Sequence, residues 1–402
     1  MKVLMVNKFL YPNGGSETYI FEIGKQLQKM GHEVQYFGME HEGRIVGNHA
    51  ESYTSNMDFH TGKMQKLLYP FKILYSTEAR KKIRVVLEDF EPDVVHLNNI
   101  NFQITPAILY EIRAFEKKNG RKIKVVFTVH DYQWVCPNHM MYIPSTGEIC
   151  DRCLGGKYGN CAKYKCIHGS TVKSILGSAE SWLYHGRKTY NLVDTIICPS
   201  HFMAKQLATD PVLKDKLVVM HNFLTAEETE TVVEKEDYVL YFGRYSKEKG
   251  IGTLLEVCKS LPDIPFVFAG SGPLKEEVGK VANINDVGFC SGENLINLIS
   301  KARFSIYPSE WYENCPFSVM ESQMYKTPVI GANIGGIPEL IREGETGELF
   351  ESGKAEELQK SIASLWKDKE RQKQYVEGCS QLHFDNVDNY CNKLLKFYGM
   401  EQ

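Results

Sequence analysis

The stretch Glu313-Asn314-Cys315-Pro316-Phe317-Ser318-Val319-Met320-Glu321 sets two carboxylates around the expected start of a helix. It follows an apolar run ending at Tyr307-Pro308, and Pro316 suits the first helical position. Glu313 then lies in the loop before the helix and Glu321 inside it. Free N–H groups at a helix start attract an anion, so a phosphate can sit between the two acids. One carboxylate can grip the hydroxyls of a sugar and the other those of a ribose. Glutamates eight residues apart are common, and it is the position behind an apolar run that makes this pair informative.

A second group, Tyr241-Phe242-Gly243-Arg244-Tyr245-Ser246-Lys247-Glu248-Lys249-Gly250, leaves another apolar run at its carboxyl end. Ligands of open α/β sheets bind at such ends. A planar guanidinium at Arg244 and an ammonium at Lys249 can together neutralise a diphosphate. A solvated charged loop is the plainer reading of the same residues. Near the N-terminus, Gly14-Gly15 lies between an apolar run and an amphipathic stretch. Paired glycines let backbone N–H groups approach a phosphate, although such a turn is as often purely structural. The spacing is not GxGxxG, which counts against a nicotinamide dehydrogenase.

Five of the eleven cysteines fall at Cys136, Cys150, Cys153, Cys161 and Cys166. The Cys150-x2-Cys153 spacing lets two thiolates reach one tetrahedral ion. In a reducing compartment, four thiolates hold zinc more readily than two disulfides. The expected set is Cys136, Cys150, Cys153 and Cys166, a structural zinc site, with Cys161 as a substitute and inert thiols as the alternative.

These residues need elements to hold them. Short apolar, β-branched runs recur at Val3–Val6, Val34–Phe37, Val94–Leu97, Ile123–Val129, Thr195–Cys198 and Leu217–Met220. A second series is Tyr238–Phe242, Phe266–Ala269, Val287–Phe289, Phe304–Tyr307, Val329–Gly331 and Glu348–Phe350. Continuous apolar strands alternating with helical patterns imply parallel sheets covered on both faces. Six units in each half, in a chain of 402 residues, imply two doubly wound domains rather than one barrel. The polar stretch 221–235 is the expected joint. The expected domains are 1–221, carrying the cysteine-rich insert 136–170, then 222–385, with 386–402 as a terminal helix.

Composition bounds the function. Apolar residues make up 43% and charged residues 24%, and the formal charge is −3. No global field recruits nucleic acid or acidic lipid. No stretch approaches the roughly 18 apolar residues of a membrane span, and the apolar run near Met1 is short for a signal peptide. The expectation is a cytoplasmic protein, peripheral at most.

Taken together, Gly14-Gly15, Thr128-Val129-His130-Asp131, Pro199-Ser200, Gly243-Arg244 with Glu248-Lys249-Gly250, Gly270-Ser271-Gly272-Pro273 and the Glu313…Glu321 pair resemble the retaining GT-B glycosyltransferases of family 4. The resemblance covers essentially the whole chain. It implies two Rossmann-like domains facing across a cleft, with a terminal helix crossing back to the first. It also implies a nucleoside diphosphate sugar as donor, UDP favoured by frequency alone. Arg244 and Lys249 would hold the diphosphate, Glu313 the transferred sugar and Glu321 the ribose. Gly243, Gly272 and the Asn314–Phe317 stretch belong to the same matched motifs. Val287 and Phe289 would lie near the base, and the Gly15 backbone would close over the diphosphate. His130 would line the reaction centre, although a histidine at a strand end is by itself more often structural. Catalysis is pictured as front-face displacement, with Arg and Lys in place of a catalytic metal. Many relatives carry glycine where this chain has Cys315, which leaves the sugar open.

The acceptor side is the first domain, with a saccharide or lipid-linked saccharide of surface polysaccharide assembly as the implied acceptor. Two basic, aromatic-containing stretches there, Lys63–Arg84 and Lys173–Tyr190, offer contact with the inner face of a membrane. The rival readings are a sugar-nucleotide epimerase of the same fold and a non-catalytic binding subunit.

Overall fold

The structure, a computed structural model, describes residues 1–56, 74–101, 104–225 and 233–400. The chain forms two compact units. One comprises residues 1–145, 150–221 and the stretch from Val387; the other comprises 146–149 and 222–386.

In the first unit six strands form one parallel sheet: β1 (Lys2–Val6), β2 (Glu33–Phe37), β3 (Val94–Leu97), β4 (Lys124–Thr128), β5 (Thr195–Cys198) and β6 (Leu217–Val219). Their order is β2-β1-β3-β4-β5-β6. Val3 pairs with Val34 on one side and Val94 on the other, so β1 is central and its apolar residues are fully buried. Each such side chain contributes about 1.5–3 kcal/mol by leaving water. The strand order reverses between β1 and β3. Polar residues collect just past these carboxyl ends: Asn7 and Lys8, Asn98–Asn101, and His130 with Asp131.

The terminal helix Val387–Tyr398 belongs to this unit and buries Tyr390, Cys391, Leu394, Leu395 and Tyr398 in it. Its tyrosines are held by polar partners: the Tyr390 and Tyr19 hydroxyls are 3.0 Å apart, and the Tyr398 hydroxyl is 2.6 Å from His96 Nδ1. His96 is the polar exception in β3. Its Nε2 meets the Thr128 hydroxyl at 2.7 Å, so neither ring nitrogen is left unmet in the core.

In the second unit the strands are β7 (Glu236–Arg244), β8 (Phe266–Ser271), β9 (Ile284–Gly288), β10 (Ala302–Tyr307), β11 (Val329–Ala332) and β12 (Gly347–Phe350). The order β9-β8-β7-β10-β11-β12 is the doubly wound dinucleotide-binding arrangement. Its reversal falls between β7 and β10, whose carboxyl ends carry Gly243-Arg244 and Tyr307-Pro308. The third strand begins three residues before the apolar run Val287–Phe289 that marks it in the sequence. It is an edge strand in which half-buried and exposed positions alternate, so Asn285 and Asp286 hide its true start.

Candidate functional site

The second unit gathers a compact polar site past β7 and β10. Glu313 is buried, and one carboxylate oxygen accepts three hydrogen bonds. They come from Lys249 Nζ at 2.6 Å, Trp311 Nε1 at 2.6 Å and the Ser309 hydroxyl at 2.9 Å. Lys249 also lies 3.3 Å from the Tyr307 hydroxyl and faces the rings of Tyr307 and Trp311. Burial and the Glu313 charge push the Tyr307 phenol well above its ordinary pKa, so it stays a neutral donor. Arg244 ends β7 with an exposed side chain that makes no ion pair among the described residues. The two cations therefore differ: one is already paired, the other is available.

Glycines permit this closeness. At Gly250, with φ +72°, an added Cβ would lie 1.8 Å from the Pro308 carbonyl oxygen. Gly335, with φ +61°, lets its loop approach the Glu313 backbone, where a Cβ would lie 2.4 Å from the carbonyl oxygen. The next amide, Gly336 N–H, donates to that oxygen at 2.8 Å. Side chains tolerate neither the dihedrals nor the space.

The other expected donor residues are distributed around this core. The helix Phe317–Met324 begins one residue later than expected, with Pro316 as its N-cap. Phe317 opens the helix and is half-buried, as is Asn314 in the loop before it. Glu321 lies in the second turn, largely buried, and desolvation raises its carboxyl pKa. No hydrogen bond to that carboxylate is seen among the described residues. Cys315, within the matched stretch, is buried and anchors its loop. Its buried sulfur accepts from Asn222 N–H at 3.3 Å and its carbonyl from Asn222 Nδ2 at 2.9 Å, while burial pushes its thiol to about 12. It ties the loop to the segment entering the unit. Gly243 and Gly272 sit at the ends of β7 and β8, where Gly272 packs against the Tyr245 backbone. Val287 ends the edge strand half-exposed, and Phe289 presents 80% of its surface to solvent.

In the first unit, Gly14 is the N-cap of the helix Gly15–Lys29. That helix start already holds a carboxylate. Glu17 is buried in its first turn and accepts from Asn7 Nδ2 and the Ser16 hydroxyl, each at 2.9 Å. It supplies the negative charge that the helix dipole favours, which weakens the case for a phosphate there.

His130 lies past β4 with Nε2 2.9 Å from Asn98 Oδ1. Desolvation pulls its pKa down to about 4, so the imidazole is neutral at pH 7. Beside it, Asp131 Oδ2 is 3.6 Å from His139 Nδ1 and 3.5 Å from Asn101 Nδ2, which also meets that histidine nitrogen at 3.2 Å. Lys8 Nζ donates to Asn101 Oδ1 at 3.0 Å. Glu180, on the distant helix Thr171–Gly186, joins this cluster. Burial and the Asp131 charge raise its pKa, His139 lowers it, and the net is about 7. Asn98, Lys8, His139 and Glu180 escape sequence reading because tens of residues separate them. His139 has φ +68°, a strained setting for a non-glycine residue.

The five cysteines do come together, burying Cys153, Cys161 and Cys166 against Ile143 and Tyr158 with Cys150 packed alongside. Their thiols are spent locally. Cys136 donates to Asn138 Oδ1 at 2.9 Å, Cys161 and Cys166 hydrogen-bond each other, and Cys150 takes an Arg152 contact. Burial pushes Cys136 to about 11 and Cys153 to about 12. Among the described residues no three His, Cys, Asp or Glu side chains are arranged to hold a metal ion, so the set Cys136, Cys150, Cys153 and Cys166 is not assembled as a zinc site.

Of the basic stretch 63–84, residues 63–73 lie outside the described residues. Farther along, Arg80 and Arg84 both pair with the buried Glu111 carboxylate, which occupies charge that a membrane would otherwise use. No described helix is long and apolar enough to cross a membrane.

Comparison with known proteins agrees with both units. The profile of group 1 glycosyl transferases matches residues 224–380, and that of glycosyltransferase family 4 matches residues 13–228. An uncharacterised glycosyltransferase of Methanocaldococcus jannaschii is 26% identical over 220 residues, 53% of this chain and 60% of that protein. An uncharacterised 42.6 kDa protein from the cps region of Klebsiella pneumoniae is 22% identical over 85% of this chain and 88% of its own. Among solved structures, Anabaena HepE in complex with UDP superposes with a TM-score of 0.65 at 14% identity, covering 98% of this chain and all of that one. With both profiles matched in order and a doubly wound sheet in each unit, the chain belongs to the group 1, family 4 glycosyltransferases and has their GT-B fold.

Proposed function

We propose that the chain transfers a hexose-type sugar, with retention at the anomeric carbon, from a nucleoside diphosphate sugar to a saccharide or lipid-linked saccharide. The carrying observation is the Lys249–Glu313 pair, with Trp311 and Ser309 on the same carboxylate oxygen and Arg244 making no ion pair among the described residues at the adjoining strand end. Arg244 meets the diphosphate, Lys249 is shared between it and Glu313, and Glu313 turns its second oxygen to the sugar. Glu321 accepts from the ribose hydroxyls, and exposed Phe289 stacks on the base. UDP is the favoured nucleotide, supported by the UDP held in Anabaena HepE. Surface polysaccharide assembly is supported by the cps location of the Klebsiella relative.

In the reaction the anomeric carbon–oxygen bond breaks and its electron pair leaves on the diphosphate. The acceptor oxygen bonds to the same face, and its proton passes to the departing phosphate oxygen. Arg244 and Lys249 stabilise the developing charge, in the place a metal takes elsewhere. Neutral His130 offers a hydrogen bond to the sugar or acceptor. Lys8, Asn101 and Asp131 form the acceptor side.

Slow hydrolysis tests this without a known acceptor. UDP-glucose, UDP-galactose and UDP-N-acetylglucosamine are each incubated with the protein and followed by proton NMR before mutarotation. The expected product is the α-anomer of one free sugar, lost in Lys249→Ala. A β-anomer would refute retention, and a C4 or C2 epimer still joined to UDP would make the chain an epimerase.

A further inference from the structure

The helix Thr171–Gly186 has its polarity reversed. Its inward face is built from Ser174, Ser178, Ser181 and Tyr184, all buried. Two of these serines bond to backbone: Ser178 Oγ donates to the Tyr158 and Ser174 carbonyls at 2.8 and 2.9 Å, and Ser174 Oγ accepts from Ile167 N–H at 3.0 Å. Its outward face bears Val172, Ile175 and Trp182, exposed at 67%, 52% and 55%. With about 100° per residue, these three project within an arc of about 80°. Amphipathic helices of soluble proteins bury the apolar side, and an apolar outer face marks something that covers it.

The charge around this face identifies the occupant. Residues 152–190 carry seven basic side chains, Arg152, Lys157, Lys163, Lys165, Lys173, Arg187 and Lys188, against one acid, the buried Glu180. The whole chain has 47 Lys and Arg against 50 Asp and Glu, so everything outside this segment carries an excess of nine acids. The basic loop lies against the helix, because the Trp182 ring sits where a side chain on Gly159 would touch it. Exposed Tyr164 stands between Lys163 and Lys165, with Arg152 over its ring. Trp and Tyr flanked by lysines, beside short aliphatic side chains, match the headgroup region of an anionic bilayer in both polarity and charge.

We propose that this face, Val172, Ile175, Trp182 and Tyr164 with the surrounding lysines, docks the protein on a bilayer containing anionic lipid. The apolar side chains enter the acyl boundary while the lysine ammonium groups stay among the headgroups. The first unit is then held at the surface where a lipid-linked acceptor resides. This deepens the acceptor half of the proposed function and is independent of the donor half.

The test is flotation of the full chain with phosphatidylcholine vesicles, with or without 30% phosphatidylglycerol, at 50 and 500 mM salt. Binding is expected only to the anionic vesicles, and weakened at high salt. Two triple variants, Val172→Ser/Ile175→Ser/Trp182→Ser and Lys163→Glu/Lys165→Glu/Lys173→Glu, are each expected to lose at least tenfold in partitioning. Unchanged melting temperatures and nucleotide shifts show that both remain folded. Absence of anionic-vesicle binding at 50 mM salt, or equal binding by the folded variants, overturns the proposal. So does a dimer that forms without lipid and is dissolved by the apolar triple variant, or a 30-residue DNA oligonucleotide bound more tightly than the vesicles. None of these results bears on UDP-sugar hydrolysis, so the two readings fail separately.

Discussion

The two units build their polar sites in opposite ways. In the second unit the buried charge is compensated in place: Glu313 has Lys249, Trp311 and Ser309 around one oxygen. Glycines hold the surrounding backbone so close that no side chain fits. In the first unit several buried titratable groups are kept uncharged instead of being met by a counter-charge. His130 and His96 are forced neutral, and Glu180 holds its proton to about pH 7. A site prepared for a constant ligand, such as a nucleoside diphosphate, can be completed in advance. Under the proposed function, a first-unit site of uncharged polar groups suits a hydroxylated acceptor, which brings no charge to be matched.

This contrast can be broken most sharply at Lys249. Lys249→Ala removes one of two proposed diphosphate contacts and leaves Glu313 buried without its counter-charge. Turnover of the UDP-sugar is expected to fall by about 10²–10³-fold. A loss below tenfold would mean that the pair is structural only. Gly335→Ala is next, because its Cβ meets the Glu313 backbone at a left-handed dihedral. Unfolding in urea is expected to show a loss of about 2–4 kcal/mol, together with weaker nucleotide binding.

Glu180→Gln sharpens the other side of the comparison. The folded-state pKa of Glu180 lies above its unfolded value, so the folded protein binds the extra proton more tightly. That contribution to stability is complete below about pH 4.5 and is lost as pH rises through 7. The variant should therefore match wild type near pH 4.5 and exceed it at pH 8, by about 3 kcal/mol, read as a melting temperature several degrees higher. Equal melting temperatures at both pH values would contradict the perturbed carboxyl. His130 has the opposite sign. Its depressed pKa means that stability is lost as pH falls from 6.5 through 4, and His130→Gln should flatten that part of the profile. The smallest effect is expected at Phe289→Ala. Loss of base stacking should weaken UDP binding by about 1–2 kcal/mol in calorimetry and leave stability unchanged, because the ring is mostly in solvent.

Much of this architecture is legible in the sequence, for a physical reason. Strands buried on both faces must be continuous apolar runs, and eleven of the twelve expected runs overlap their strands closely; β9 does so only at its end. The exception is an edge strand, where one face is wet and Asn285 and Asp286 interrupt the run. That Glu313, Lys249 and Arg244 gather past neighbouring strands is legible because strand-end loops are short and keep their residues near the strand. Trp311 and Ser309 lie in the same loop, but nothing in their types announces that they will converge on one oxygen. The bonds that tie Cys315 to Asn222 are not legible, because spacing does not report which partner a loop residue meets. Glu180 is beyond reach altogether: its partners Asp131 and His139 come from another segment, and its own helix reads as basic and aromatic. The cysteine spacing is metal-like, yet their sulfurs are engaged with local partners, a distinction that only coordinates reveal.

The central claim is a nucleoside diphosphate sugar site in the second unit, and its most direct measurement is a thermal-shift series. Wild type, Glu321→Ala and Lys249→Ala are melted with UDP, GDP, ADP and their common sugar conjugates at increasing concentration. A ligand that binds only the folded state raises the melting temperature with its occupancy. The predicted result is a rise with one nucleotide series, UDP first, that is reduced in both variants. No rise with any nucleotide, or a rise identical in all three proteins, would contradict the site.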